Sequence, residues 1–263
     1  MAVALHEQRR LDEASAGYTR VLALEPPRDP TPAQAQLARK LAPRVLTTPS
    51  EFFPLKDFAV ILHPTEPWIA YHLFWEDDID FPDDNDPCDH EVMWVRYDRS
   101  TGRLAAYYTY FHSRILEAPT AAVEDANRNG GRPAVLVQWG KHGSLPLGWE
   151  KLEIVADEGD VERDYYRTGR PIPFEEYMRG TYQKLNTVGR RALDSPLGRG
   201  WPQKFTGSWK DFVNFSRRIE PLDWLDRRGY IKVSCWNSAV INRHFLLYNF
   251  RPKTEWPSAL CGR

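Results

Sequence analysis

The chain has 263 residues, of which 42% are hydrophobic, and its 35 Lys and Arg against 36 Asp and Glu give a net charge of −1. This length fits one large domain, or one domain with a small appendage, and the apolar fraction excludes a wholly disordered chain. The balanced charge argues against a nucleic-acid partner. No apolar run approaches the roughly 20 residues of a membrane-spanning helix, so we expect no integral membrane contact.

The cysteines and the first residues bear on the cellular compartment. Cys88, Cys235 and Cys261 are widely spaced and match no Cys-x-x-Cys pattern, which argues against a disulfide framework and against a zinc–thiolate site. The start of the chain becomes charged by residue 6 and lacks the apolar core of a secretion signal. We therefore predict a cytoplasmic protein.

The N-terminal segment has a helical pattern. Residues 4–24 place apolar side chains at three- and four-residue steps, and two consecutive prolines end the pattern. A second helix is predicted from Thr31, a typical N-cap residue, to Val45. The first helix resembles half of a tetratricopeptide repeat, which cannot bury its apolar face alone. We expect residues 1–47 to form a helical hairpin packed on the main domain; the alternative is a repeat that binds a protein partner.

From residue 57 onward the apolar period changes to two, which predicts strands. The clearest strands cover residues 58–63, 68–75, 91–97, 103–112 and 134–139. After residue 160 the signal is weaker, with short helices predicted at 174–178 and 209–219 and strands at 230–236 and 244–250. The predicted fold class is α+β, mainly β, with an antiparallel sheet in the domain formed by residues 48–263.

An acidic segment lies between two of the predicted strands. Residues 76–91 contain nine carboxylates in sixteen positions and no Lys or Arg. One interpretation is a solvated loop, which explains most charge runs. The other is a cation site, because crowded carboxylates repel one another and a cation relieves the repulsion.

The two-residue period of a strand separates the last acidic residues into two faces. Asp89 and Glu91 share one face with Met93 and Val95, whereas His90 points the other way. Two carboxylates at the start of an apolar strand face would lie at the rim of the core. Oxygen ligands in this position suit a hard divalent cation.

Two further carboxylates complete the predicted metal site. Asp78 and Asp86 can fold back towards Asp89 and Glu91 through a proline-containing loop. The absence of thiolate spacing favours Mg²⁺ or Ca²⁺, with Mn²⁺ as the alternative, over zinc. The segment is not an EF-hand, because it lacks that motif's glycine and its spaced terminal Glu.

Two short motifs carry a resemblance to a known family. The stretch from Asp86 to Trp94 and the stretch from Val137 to Ser144 resemble motifs of the necrosis- and ethylene-inducing-peptide-like proteins and their vacuolar-sorting relatives. The resemblance covers about residues 70–145. It implies a β-sandwich with a cation in an acidic cavity.

The same resemblance assigns roles to individual residues. The family's metal-binding carboxylates fall on Asp89 and Glu91, its first motif histidine on Asp86, and its upstream loop aspartate near Asp78. The family's downstream histidine matches His142.

The residues around His142 also support a functional role. This histidine lies in a glycine-flanked turn after a strand, where a neutral imidazole beside a carboxylate cluster suits acid–base catalysis near neutral pH. The alternative is a histidine that stabilises its own turn. His72 lies inside an aromatic strand and is expected to be a hydrogen-bonded core histidine.

These residues lead to two functional hypotheses. The first is a divalent-cation-dependent enzyme that acts on a small, partly apolar molecule by cyclisation, elimination or hydrolysis, with His142 as the acid or base. Aromatic residues near the strands could form the wall of its pocket, namely Tyr71, Trp75, Trp94 and Trp139. The alternative is a toxin-like module that uses the cation to bind a glycan or a lipid headgroup.

Overall fold

The computed structural model describes residues 1–79, 88–112, 114–155, 171–187, 200–248 and 256. Within them, helices α1–α8 span Ala2–Glu7, Leu11–Leu24, Pro32–Lys40, Thr120–Arg128, Phe174–Thr187, Trp209–Phe212, Leu222–Arg228 and Asn237–His244. Strands β1–β6 span Arg44–Thr47, Leu55–Leu62, Trp68–Trp75, Asp89–Tyr97, Leu104–Phe111 and Arg114–Glu117. Strands β7–β12 span Ala134–Val137, Ser144–Pro146, Glu153–Ile154, Ile172–Pro173, Arg217–Ile219 and Ile231–Val233.

The larger sheet has six strands in the order β12-β2-β3-β4-β5-β6. Its neighbouring strands are antiparallel except for the parallel pair β12–β2. Strand β3 is buried at every position, because both faces of the sheet are covered. The predicted strands at 58–63, 68–75, 91–97 and 103–112 are confirmed to within three residues at each end.

The second sheet has the order β11-β1-β7-β8, and its central pair β1–β7 is parallel. The sequence predicts a helix up to Val45, which is wrong: α3 ends at Lys40, and β1 begins at Arg44. Pro43 lies between them and cannot continue a helix, since it lacks the amide donor and restricts the residue before it. The predicted N-cap is confirmed, because the Thr31 side chain accepts a hydrogen bond from the Gln34 amide.

The two sheets share one apolar cluster. Val45 and Val137 of the smaller sheet belong to the same buried core as Val60, Tyr71 and Met93 of the larger one. The opposite face of the larger sheet packs against α8, whose Val240 and Ile241 contact the outer core. The described fold is therefore a mixed α/β arrangement with open, mixed sheets.

The prediction of a chain with both helices and sheets is confirmed, but a mainly β content is not. Among the described residues, helices make up about 36% and strands about 28%, so helices are at least as abundant as strands. Much of the difference arises after residue 170. There α5 is longer than the predicted 174–178 helix, and α8 and a 3₁₀ turn occupy most of the predicted 244–250 strand. No helix in the described ranges is long and apolar enough to cross a bilayer.

The N-terminal helices contact the rest of the chain. Ala14 and Tyr18 of α2 pack against Ala239 of α8, and His6 is 2.8 Å from the carbonyl oxygen of Leu246. The division of the chain at residue 47 stays a prediction. Residues 1–47 include β1, which pairs with β11 on one side and with β7 on the other.

A buried histidine pair lies under α8. His72 Nδ1 is 2.9 Å from His90 Nε2, and His72 Nε2 is 2.8 Å from the Asn237 side-chain oxygen. Burial lowers the pKa of His72 to about 4, although its hydrogen bond to Asn237 acts in the opposite direction. His72 is therefore neutral near pH 7, as predicted for a hydrogen-bonded core histidine.

This lowered pKa predicts a loss of stability in mild acid. The unfolded chain binds a proton at His72 near pH 6.5 but the folded chain only near pH 4. The free energy of unfolding therefore has its full value, as far as His72 is concerned, above pH 6.5. It falls by about 3 kcal/mol as the pH is lowered to 4, because the unfolded chain binds the proton first. Urea unfolding at pH 6.5, 5 and 4 measures it. His72→Gln should flatten most of the pH dependence. His63→Gln, at a half-buried turn where burial also lowers the histidine pKa, should flatten it less. Equal slopes for all three proteins would contradict this assignment.

Candidate functional site

The acidic residues meet where β3 ends and β4 begins. Trp75, the last residue of β3, pairs with Asp89, the first residue of β4. The amide of Cys88 donates a hydrogen bond to the carbonyl oxygen of Glu76, at 2.9 Å. This pairing brings the two described ends of the acidic segment together at one end of the two central strands of the larger sheet.

The predicted separation of the two faces of β4 is confirmed. Met93 and Val95 belong to the core between the sheets, whereas Val92 and Trp94 belong to the outer core. Asp89 therefore points towards the space between the sheets. Its side chain is 11% exposed, so it lies at the rim of that space.

Glu91 lies further inside. It pairs with Leu73 in the sheet, follows the same face as Met93, and is only 2% exposed. The expectation of two carboxylates that open the inner face of an apolar strand is therefore met, one at the rim and one buried.

His142 lies beside this strand face and is fully buried. Its Nδ1 is 3.0 Å from Asp89 Oδ2, and its ring stacks on Trp75 with the ring centres 4.3 Å apart and the planes within 3°. The turn that holds it requires glycine: a Cβ on Gly143 would lie 2.8 Å from Phe111 and His112. His142 itself has a φ of +53°, a strained value for a side-chain-bearing residue.

Glu51 is the residue that sequence reasoning missed. Its Oε1 accepts hydrogen bonds from the amides of Phe52 and Phe53, both at 2.9 Å, and its Oε2 accepts one from Gly140 at 2.7 Å. The same Oε1 lies 3.6 Å from His142 Nε2, which makes an ion pair without a hydrogen bond. Glu51 lies outside the acidic segment, and the one available signal was a single charge placed before Phe-Phe-Pro.

The three side chains control one another's protonation. Burial alone would lower the pKa of His142, but the hydrogen bond to Asp89 and the nearby Glu51 carboxylate raise it to about 10. Burial alone would raise the pKa of Glu51, but the contact with His142 and the amides of Gly140 and Phe53 lower it overall. The expectation of a neutral His142 near pH 7 is therefore wrong, because two carboxylates stabilise the imidazolium.

The surroundings of Asp89 are acidic. Burial, together with the negative charges of Asp77, Glu76 and Asp89, raises the pKa of the Cys88 thiol to about 12. The thiol is therefore protonated and is a poor nucleophile near pH 7. A positive charge faces the same cluster, since Lys56 lies 3.4 Å from Glu76.

The predicted metal ligands are only partly brought together. Asp89 and Glu91 share a strand face, Asp78 follows β3, and Asp86 lies outside the described residues. Among the residues that are described, no three His, Cys, Asp or Glu side chains are grouped so that they could hold a metal ion. These residues do not form a complete cation site by themselves.

The predicted aromatic wall is mostly core. Tyr71 and Trp75 pack between the sheets, and Trp94 packs in the outer core beneath α8. These three residues are fully buried, because each lies on a strand whose two faces are covered. Trp139 lies in a separate cluster on the far side of the smaller sheet.

No protein-family model and no curated protein matches this chain. Two solved structures are weakly similar to it. One is Necrosis and Ethylene inducing Protein 2 from the causal agent of cocoa's Witches Broom disease, with 13% identity, a TM-score of 0.31, and 46% of this chain and 73% of that chain covered. The other, described as a toxin fold for microbial attack and plant defense, has 13% identity, a TM-score of 0.32, and coverages of 61% and 83%. This weak likeness agrees in part with the resemblance in the sequence.

Proposed function

We propose that this chain is a divalent-cation-dependent enzyme that acts on a small, partly apolar molecule. Its site would lie where β3 ends and β4 begins. One observation supports this more than any other: the Asp89 carboxylate at the rim is held by a fully buried imidazolium, which is itself paired with a buried glutamate. Burying these ionisable groups is costly, and perturbed groups of this kind concentrate at functional sites.

The geometry favours different roles for Asp89 and His142. Asp89 is partly exposed, so it is the member of the group that would contact a bound molecule and accept its proton. His142 has no exposed surface, so it would act through Asp89 by orienting the carboxylate and stabilising its charge. The reaction classes that remain in the proposal are cyclisation, elimination and hydrolysis.

The cation is part of the proposal because of the composition of residues 76–91. Asp89 and Glu91 are the described residues that would contact it, and Mg²⁺, Ca²⁺ and Mn²⁺ are the candidates. We assign no chemical step to the cation, since the described residues do not complete its site. We also propose that the two facing sheets form a β-sandwich and that the protein is cytoplasmic. Residues 1–47 would bind a protein partner.

Replacing one carboxylate at a time tests the cation site. We expect calorimetry with Mg²⁺, Ca²⁺ and Mn²⁺ to show about one bound cation per chain, and Glu91→Gln to weaken the affinity at least about tenfold with any cation-dependent turnover lost. Asp84→Asn is the matched control, because it removes the same charge from the acidic segment at a position that precedes β4 in the sequence. It should change the affinity less than about twofold.

The possible outcomes separate the hypotheses. Equal effects of the two substitutions would mean that the segment acts only as diffuse charge, and the site would be wrong. No saturable binding of any of the three cations would remove the cation from the proposal. Cation-dependent binding to lipid vesicles or immobilised glycans, without turnover, would favour the alternative module.

A further inference from the structure

Helix α8 covers part of the outer face of the larger sheet and docks there through a partly polar surface. Its Val240 and Ile241 pack in the outer core, but three of its six buried residues are polar: Asn237, Ser238 and Asn242. The helix also begins without a side-chain cap. It belongs to neither sheet, so it can leave the outer face while the strands of both sheets stay paired.

Two buried histidines hold the two ends of this segment. His72 of β3 contacts Asn237, the first residue of α8, with its Nε2 2.8 Å from the side-chain oxygen. His6 of α1 contacts Leu246, two residues after the end of α8, with its Nε2 2.8 Å from the carbonyl oxygen. Both oxygens can only accept, so each histidine carries its proton on Nε2. The segment is therefore fixed to the sheet at one end and to the N-terminal helices at the other.

The second ring nitrogen of each histidine also faces a partner. His72 Nδ1 is 2.9 Å from His90 Nε2, and His6 Nδ1 is 3.2 Å from the Tyr18 hydroxyl. In the neutral rings this nitrogen accepts a hydrogen bond. A second proton on His72 would point at the N–H of His90, and a second proton on either ring would place a charge in a buried position. The docked helix therefore requires neutral rings.

Burial outweighs the groups that would favour a second proton on these histidines. It lowers the pKa of His72 to about 4, against the hydrogen bond to Asn237, and no charged side chain of the described residues contributes to this shift. Burial also lowers the pKa of His6, against the hydrogen bond to the Leu246 carbonyl and the charge of Glu7. Both pKa values rise towards 6.5 when the segment is released.

His244, in the last turn of α8, titrates in the same direction. Its ring stacks on Tyr230 with the ring centres 3.8 Å apart. Burial lowers the pKa of His244, and the carboxylate of Asp57 opposes this shift. Three positive charges act in the same direction as burial, namely Lys232, Arg243 and Arg228.

We propose that α8 and the N-terminal helices α1 and α2 form an acid-released cover over the outer face of the larger sheet. Below about pH 6.5 the released histidines bind protons that the docked histidines bind only at lower pH, so each proton favours release. Helices α1 and α2 leave with α8 because Ala14 and Tyr18 pack against its Ala239. Release exposes an aromatic surface, where Phe74 stacks on Phe245 with the ring centres 4.2 Å apart. This device does not depend on the proposed enzyme activity.

Hydrogen exchange of the full chain, followed by mass spectrometry, tests the release. The amide exchange rates of α8, corrected for the intrinsic effect of pH, give the equilibrium between docked and released states. His72 alone should raise this equilibrium constant about 30-fold between pH 7.5 and 5, because its pKa is 6.5 when released and about 4 when docked. The amides of β7 should stay at least about tenfold more protected than those of α8 at pH 5. Equal protection of α8 and β7 at every pH would overturn the separate release.

Histidine variants locate the titrating groups. His72→Gln can still donate to Asn237 but cannot bind a proton, so it should remove about 30-fold of the rise. His6→Gln should lower the rise on its own, and His6→Gln/His72→Gln should remove most of it. His112→Asn is the matched control, because it removes a histidine that contacts Gln138, just after β7, and it should keep the wild-type rise. A wild-type rise in the double variant, or no rise in the wild-type chain, would overturn the proposal.

Discussion

Replacing Glu51 with Gln is expected to lower the free energy of unfolding by about 3–5 kcal/mol. The substitution keeps the shape of the side chain but removes the charge that faces His142, so an imidazolium stays buried with one carboxylate fewer. Glu51 accepts hydrogen bonds from three backbone amides, and the side-chain NH₂ group of Gln would face at least one of these donors without an acceptor between them. Urea unfolding of both proteins near pH 7 measures the difference.

Two further variants separate the buried ion pair from a general effect of losing a carboxylate. Glu175→Gln breaks an exposed pair with Arg179 on α5 and should cost only about 0.3–0.5 kcal/mol. The double variant Glu51→Gln/His142→Gln should be less destabilised than the sum of the two single variants, because it also removes the imidazolium that has lost its Glu51 partner. Additive effects, or a loss for Glu51→Gln as small as that for Glu175→Gln, would show that the pair contributes little.

Deleting residues 1–47 is expected to abolish cooperative unfolding. The deletion removes β1, which lies between β11 and β7 and contributes Val45 to the core between the sheets. Its loss would leave two strand edges unpaired and would open the core. A thermal melt followed by near-UV circular dichroism should show no sharp transition.

A shorter deletion provides the matched control. Removing residues 1–24 takes away α1 and α2, which pack against α8, but leaves both sheets complete. We expect this protein to melt cooperatively at a lower temperature than the wild-type chain. A cooperative melt for the 1–47 deletion would instead support the N-terminal appendage that the sequence predicts.

The strands of the larger sheet could be predicted from the sequence because their pattern is local. The two-residue period places Asp89, Glu91 and Met93 on one face wherever the strand lies, so the rim position of Asp89 was predictable. Thr31 likewise identifies the start of α3, since capping involves neighbouring residues only. The weaker pattern after residue 160 was less informative.

Only the tertiary structure decided that Glu51 meets Asp89 and His142. The sequence resemblance had placed His142 beside the carboxylates of β4, but nothing in the sequence related Glu51 to either residue. The packing of the two sheets brings the three side chains together. The same packing makes His142 an imidazolium, because its protonation depends on carboxylates that are remote in the chain. Four residues such as Arg44–Thr47 are too few to show a period, so their strand is selected by the partners β7 and β11. The sequence by itself determined local periodicity and caps, whereas long-range pairing and burial determined the candidate site.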